Sequence, residues 1–159
     1  MPRLLCVGEC MLELSERADG SIAKAFGGDS LNTAIYAARS GADVAYLTAL
    51  GDDPFSADMV AAWDAEGVDT GSVRRTPGRV PGLYWIKTDT AGERSFSYWR
   101  DQAPYSDLFR GRSGADALAE IAKADWLYLT GISLAVLDVE SRLGVFEAMR
   151  QVVEAGRQV

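Results

Sequence analysis

The chain contains no histidine. The side chain that most often serves as general base near neutral pH, and most often ligates a transition metal, is therefore missing. No serine or cysteine can be paired with an imidazole as an activated nucleophile. Cysteine is scarce, with only Cys6 and Cys10 present. A CxxxC spacing without histidine gives no expectation of a metal site. With no signal-peptide pattern ahead of them, both thiols are expected to be reduced and the protein cytoplasmic. No apolar run approaches the roughly 20 residues that a membrane span requires. Cations are in deficit: the net charge of −7 argues against a nucleic-acid surface, which needs a basic face. Neither the phosphate-loop pattern GxxxxGKS/T nor GxGxxG occurs, so no standard P-loop or dinucleotide site is expected.

What is present fits one compact domain: 159 residues, 48% of them apolar. Leu4–Gly8 reads as a buried first strand, with Glu9 at its carboxyl end, where open α/β sheets place ligand contacts. Met11–Ser15 alternates like a half-buried strand, Arg17–Gly20 reads as a polar turn, and Ser21–Phe26 as another short strand. A helix is expected from Ser30 to Ser40 with Leu31, Ala34, Ile35 and Ala38 on one face, stopped by Gly41. Val44–Leu50 is a second core strand, and Asp53-Pro54 caps a helix reaching about Glu66. Gly82–Thr88 and Arg94–Arg100 are aromatic, β-prone runs joined by the turn Asp89–Gly92, a hairpin that projects from the main sheet. Asp101–Ser113 reads as loop, Ala115–Lys123 as helix, and Trp126–Gly131 as strand. Asp138 caps a long helix expected to turn Val139, Leu143, Phe146, Met149 and Val153 inward. Arg157–Val159 reads as the start of a further strand, so the βαβ pattern is expected to be the N-terminal part of a larger α/β protein. Tyr36, Tyr46 and Trp63 are expected in the core.

Two stretches could carry chemistry. In Phe26–Ala38, the adjacent Gly27 and Gly28 permit positive φ and leave no side chain to block a ligand. Asp29 or Ser30 can cap the following helix, whose free N–H groups favour an oxygen-rich or anionic ligand. Asn32 in the first turn can donate to and accept from a hydroxyl. The same stretch also reads as an ordinary loop leading into an Ala-rich core helix. In the hairpin, strand alternation places Phe96, Tyr98 and Arg100 on one face, joined by Tyr84 if it pairs near Tyr98. A phenol and a guanidinium so placed suit a carboxylate or keto acid. The alternative is an exposed hairpin with Arg100 solvated.

Together, Gly8-Glu9-Cys10-Met11, Glu13-Leu14-Ser15, the Gly27–Thr33 stretch and Thr48–Phe55 resemble the start of a ribokinase-like (PfkB) carbohydrate kinase. Within that family, Pro81–Tyr84, Thr90–Arg94, Tyr98-Trp99-Arg100 and Tyr128–Leu134 most resemble the 2-keto-3-deoxygluconate kinases. The resemblance covers essentially the whole chain. It implies a three-layer α/β/α body with a small β lid, formed by strands at about 11–26 and 80–100. It also implies transfer of the ATP γ-phosphate, assisted by Mg²⁺, to the 6-hydroxyl of the sugar acid. Gly28, Asp29, Ser30, Leu31 and Asn32 match the segment that holds the sugar. Tyr84, Tyr98 and Arg100 match its lid-side contacts, with Arg100 near the carboxylate.

The family's Gly-Ala-Gly-Asp motif, which supplies the catalytic aspartate and the anion hole, does not occur in this sequence. No catalytic residue is therefore assigned within it, and the nucleotide and Mg²⁺ sites are expected outside these residues. Other readings are a kinase of a neutral sugar such as fructose or ribose, a non-catalytic sugar-acid binding module, or an α/β fragment without a ligand. A homo-oligomer is expected through the lid, because its edges and aromatics are exposed.

Overall fold

The computed structural model describes residues 2–17 and 19–159. Four strands form the central parallel sheet: β1 (Leu4–Val7), β4 (Val44–Gly51), β5 (Val73–Thr76) and β8 (Trp126–Tyr128), in the order β5-β4-β1-β8. A strand covered on both faces must be apolar throughout, and every residue of β4 is buried. The pleat then sends alternate side chains to opposite layers. Leu5, Val7, Ala45 and Leu47 join Tyr105, Phe109, Ile121 and Val145 on one side. Cys6, Tyr46 and Leu50 join Leu31, Met59 and Trp63 on the other. The helices on the second side are α1 (Asp29–Arg39) and α2 (Pro54–Ala65), and those on the first include α3 (Gly111–Ala122) and α5 (Val139–Glu154). This is the three-layer α/β/α body expected from the sequence.

A second four-stranded sheet, ordered β3-β2-β6-β7, stands beside the body. It contains β2 (Met11–Glu16), β3 (Ile22–Gly27), β6 (Leu83–Thr88) and β7 (Arg94–Trp99). The hairpin therefore does leave the main sheet. Its turn is held by Asp89, whose Oδ1 accepts from the Ala91 and Glu93 N–H groups at 2.9 Å. The polar turn expected over Arg17–Gly20 includes Ala18, which lies outside the described residues. Only Gly8-Glu9-Cys10 separates β1 from β2, so the first strand of the body leads directly into the second sheet.

The Asp53 cap is present: its Oδ1 accepts from the Phe55 and Ser56 N–H groups at 2.9 and 3.2 Å. Gly41 and Gly67 end their helices with φ of 86° and 82°. Other elements differ from expectation. The α1 N-cap is Gly28, with no side-chain cap, instead of Asp29 or Ser30. Tyr36 is 66% exposed, with the Arg39 guanidinium carbon 5.6 Å from its ring centroid, whereas Tyr46 and Trp63 are fully in the core. The stretch read as loop contains a 3₁₀ turn at Pro104–Asp107 and the first turn of α3. β8 ends at Tyr128 because Thr130 caps a short helix, α4 (Gly131–Ala135), in a reciprocal box with Ser133. The strand expected at Arg157–Val159 appears as one parallel bridge between Trp126 and Gln158.

The largest correction concerns α5. Its buried residues are Ser141, Val145, Ala148 and Val152, while Val139, Leu143, Phe146 and Val153 are exposed. Helix α3 approaches closely along a seam of small residues. A Cβ on Gly144 would lie 2.9 Å from a Leu118 methyl. Bulky side chains cannot occupy that seam, so the larger apolar residues turn outward.

Candidate functional site

A cleft of about 540 Å³ opens between the second sheet and the start of α1. Its body side is formed by Gly28, Asp29 and Asn32, and its sheet side by Met11, Glu13, Tyr84, Phe96, Tyr98 and Arg100. Helical geometry explains the first group. Residues 28, 29 and 32 are separated by three and four positions and share a face, while 30 and 31 turn away from it. Ser30 is buried, with its Oγ 3.2 Å from the Tyr46 hydroxyl, and Leu31 lies in the core. The structure thus gathers Gly28, Asp29, Asn32, Tyr84, Tyr98 and Arg100 around one cavity and places Ser30 and Leu31 behind it.

The two glycines serve close approach instead of left-handed backbone. Gly28 is extended, with φ of 177°. A Cβ on Gly28 would sit 2.5 Å from the Glu9 carbonyl oxygen, and one on Gly27 would overlap the Tyr84 hydroxyl oxygen. Asp29 is fixed from both sides: Oδ1 accepts from the Ser30 N–H at 2.7 Å and Oδ2 from the Thr130 hydroxyl at 2.6 Å.

Strand register organises the opposite wall. Glu13, Tyr84 and Tyr98 are consecutive cross-strand partners over β2, β6 and β7. The Tyr84 hydroxyl donates to Glu13. Burial, reinforced by that carboxylate, holds the Tyr84 proton on well above the usual phenol range. Phe96 and Tyr98 stack at 6.3 Å with ring planes 17° apart. At the back of the cleft Arg100 forms an ion pair with Glu9. Burial pushes the Glu9 carboxyl above its ordinary value, against the opposing pull of the guanidinium.

Glu13, Met11, Phe26 and Ile132 line the cleft without having been singled out from sequence, and Glu9, just beyond the end of β1, and Phe96, on the Tyr98 face, line it as their positions in the sequence suggested. Glu13 had a signal available, since the alternation of Met11–Ser15 places it on a definite sheet face. The register to β6, which makes it the partner of Tyr84, is a long-range property. Ile132 reaches the cleft from α4, whose position depends on the tertiary fold.

The lining suits a polyhydroxylated ligand: the Tyr84 and Tyr98 phenols, the Asn32 amide and the Arg100 guanidinium. It does not fit a polyphosphate with its divalent cation. Among the described residues no three histidine, cysteine or carboxylate side chains converge as a metal site requires. Glu9, Glu13 and Asp29 are each engaged by Arg100, Tyr84 and Thr130. No described helix is long and apolar enough to cross a membrane.

A three-layer α/β body with a small sheet standing over a polar cleft defines the ribokinase-like class of fold. Residues 1–158 match the pfkB family of carbohydrate kinases, and the chain belongs to that family. It is 43% identical over 161 residues to 2-dehydro-3-deoxygluconokinase of Escherichia coli K12, covering 99% of this chain and 52% of that protein. It is 30% identical to a fructokinase of Vibrio alginolyticus, covering 98% of this chain and 48% of the relative. The chain thus spans about half the length of the curated relatives it matches. The crystal structure of a Xylella fastidiosa fructokinase with bound ATP superposes with a TM-score of 0.79 at 28% identity, covering 96% of this chain and 46% of that one. The Thermotoga maritima 2-dehydro-3-deoxygluconokinase shares the fold at a TM-score of 0.80, with 23% identity and coverage of 99% and 49%.

Proposed function

We propose that this chain forms the sugar-binding part of an ATP-dependent kinase that phosphorylates the 6-hydroxyl of 2-keto-3-deoxygluconate, also called 2-dehydro-3-deoxygluconate. The observation that carries this reading is the placement of Tyr84, Tyr98 and Arg100 across one cleft from Gly28, Asp29 and Asn32. Arg100 recognises the carboxylate, the phenols and Asn32 the hydroxyls, and the Gly27-Gly28 backbone leaves the ligand room to approach. The second sheet acts as the lid that orients the sugar and excludes water. The catalytic base and the residues that hold ATP and Mg²⁺ lie outside these 159 residues, consistent with the missing Gly-Ala-Gly-Asp motif. Binding is therefore the first test. Calorimetry with 2-keto-3-deoxygluconate, fructose and ribose should show preference for the acid. Arg100→Ala should weaken acid binding at least about 30-fold, as expected for truncation of a desolvated charge contact, and weaken neutral-sugar binding far less. Equal losses for all sugars would refute the assignment of Arg100. ATP-dependent turnover by these 159 residues alone would refute the placement of the base.

A neutral sugar is the second reading, favoured by the pairing of Arg100 with Glu9 and by the fructokinase relatives. The binding series separates the two. We also propose that the lid joins two copies of the protein. Every residue of the β7 edge is exposed and Trp99 is 61% exposed. Sedimentation of the protein as a monomer would refute that assembly.

A further inference from the structure

Arg100 is not a free cation awaiting an anion. It is paired with Glu9, whose side chain is 6% exposed, so solvent does little to screen the pair. Gly82 makes room for the pair: a Cβ there would meet Glu9 Oε1 at 2.9 Å and the Arg100 Cβ at 3.3 Å. The Arg100 Nε is buried without a partner. The other charged groups nearby are acidic. Glu13 and Asp29 line the same cleft, and Asp101 lines the hollow behind it with Glu9 and Arg100. Among titratable groups, the buried Cys10 and Tyr105 also feel the Glu9 charge, the Tyr84 and Tyr98 phenols line the same cleft, and the buried Tyr46 hydroxyl donates to the Gly8 carbonyl next to Glu9. A ligand carboxylate arriving at Arg100 would therefore enter a cleft already holding three carboxylates against one guanidinium.

We propose that Glu9 is the positioning residue for Arg100, and that it takes up one proton when an anionic sugar binds, releasing the guanidinium to the ligand carboxylate. This rests on the sugar-acid reading above. The Glu9–Arg100 ion pair is lost, a ligand–Arg100 ion pair forms, and the proton comes from solvent onto the Glu9 carboxylate. The charge of the cleft is then the same before and after binding. Burial already biases Glu9 towards its neutral form, with Arg100 as the opposing influence. A ligand carboxylate weakens that opposition and adds repulsion, and both push in the same direction.

The test is calorimetry of the full chain with 2-keto-3-deoxygluconate, in buffers of different ionisation enthalpy, from about pH 6.5 to 8.5. The expected result is proton uptake on binding, approaching one per bound ligand at most, with affinity falling as pH rises by up to about tenfold per unit. Glu9→Gln, which keeps the shape and removes the charge, should bind the acid without proton uptake and with a flat pH profile. Acid binding without uptake by the wild type overturns the proposal and leaves the sugar-acid reading standing. A wild-type pH slope in Glu9→Gln overturns the role of Glu9. Failure to bind the acid, whether or not fructose binds, overturns that reading and the proposal with it. The wild-type measurement decides the matter even if the variant does not fold.

Discussion

Tyr84 and Tyr98 are direct partners across β6 and β7, with ring centroids 5.9 Å apart, and the Tyr84 hydroxyl donates to Glu13 on the strand beyond. One wall of the cleft is therefore a single cross-strand row from three separate segments. Its members hold one another in place, because an aromatic pair fixes the ring planes and the carboxylate fixes the phenol rotor.

Tyr84→Phe tests that row. The ring stack survives, but Glu13 loses its donor in a half-buried setting. Loss of a hydrogen bond to a charged acceptor costs about 1.5–3 kcal/mol, and partial exposure places this variant at the low end. The expected outcome is a fall of several degrees in Tm and weaker sugar binding. A variant with unchanged Tm and unchanged affinity would show that the Tyr84–Glu13 contact has no energetic role.

Gly27→Ala approaches the same phenol from the opposite side. The added methyl would overlap the Tyr84 hydroxyl. The strand backbone tolerates alanine, so the phenol must give way. Sugar affinity should fall as far as it does in Tyr84→Ala, while the far-ultraviolet circular dichroism spectrum stays native. Retention of wild-type affinity would mean that the phenol position is irrelevant to binding.

The cleft was partly legible in the sequence, and the limit was geometric. Gly27-Gly28 before an Ala-rich helix, and Tyr84 opposite Tyr98, follow from turn chemistry and a period of two. Those rules place Gly28, Asn32, Tyr84 and Arg100 without tertiary information. Helix periodicity also puts Leu31 on the core face, where it lies, whereas the family resemblance matches Leu31 to the sugar together with Asn32. Such local rules do not foresee the partner of Arg100, since Glu9 lies 91 residues away in sequence. The α5 error has a similar origin. Hydrophobicity selects the large side chains, but the close α3 contact selects the small ones.

Asp138 gives a pH-dependent prediction. Its carboxylate caps α5 by accepting from the Ser141 N–H at 2.7 Å and from the Arg110 Nε at 2.7 Å. The Ser141 N–H, then Arg110, hold its pKa down to about 2. A folded-state pKa below the unfolded value of about 3.9 means that the charge stabilises the fold above about pH 4. That contribution is lost as pH falls towards 2. Asp138→Asn retains a capping oxygen and removes the charge. Urea unfolding should show a constant wild-type advantage above about pH 5, shrinking between about pH 4 and 2. An advantage that grows on acidification would contradict the assignment.

The orientation of α5 can be tested by substitutions on its two faces. Leu143 and Phe146 point outward, being 62% and 49% exposed, whereas Val145 is 1% exposed within the core. In this chain Leu143→Gln and Phe146→Gln remove few packed contacts, and each should change stability by no more than about 0.5 kcal/mol. They should also reduce aggregation, because they dissolve an exposed apolar face. Val145→Ala removes two buried methyl groups beside Ala117 and Ile121, where relaxation is limited, and should cost about 1–3 kcal/mol. Hydrophobicity ranks leucine and phenylalanine above valine, so a helix turned the other way would give the opposite order. Urea unfolding of the three variants distinguishes the orientations: a larger loss for Leu143→Gln than for Val145→Ala would mean that the apolar face of α5 is buried after all.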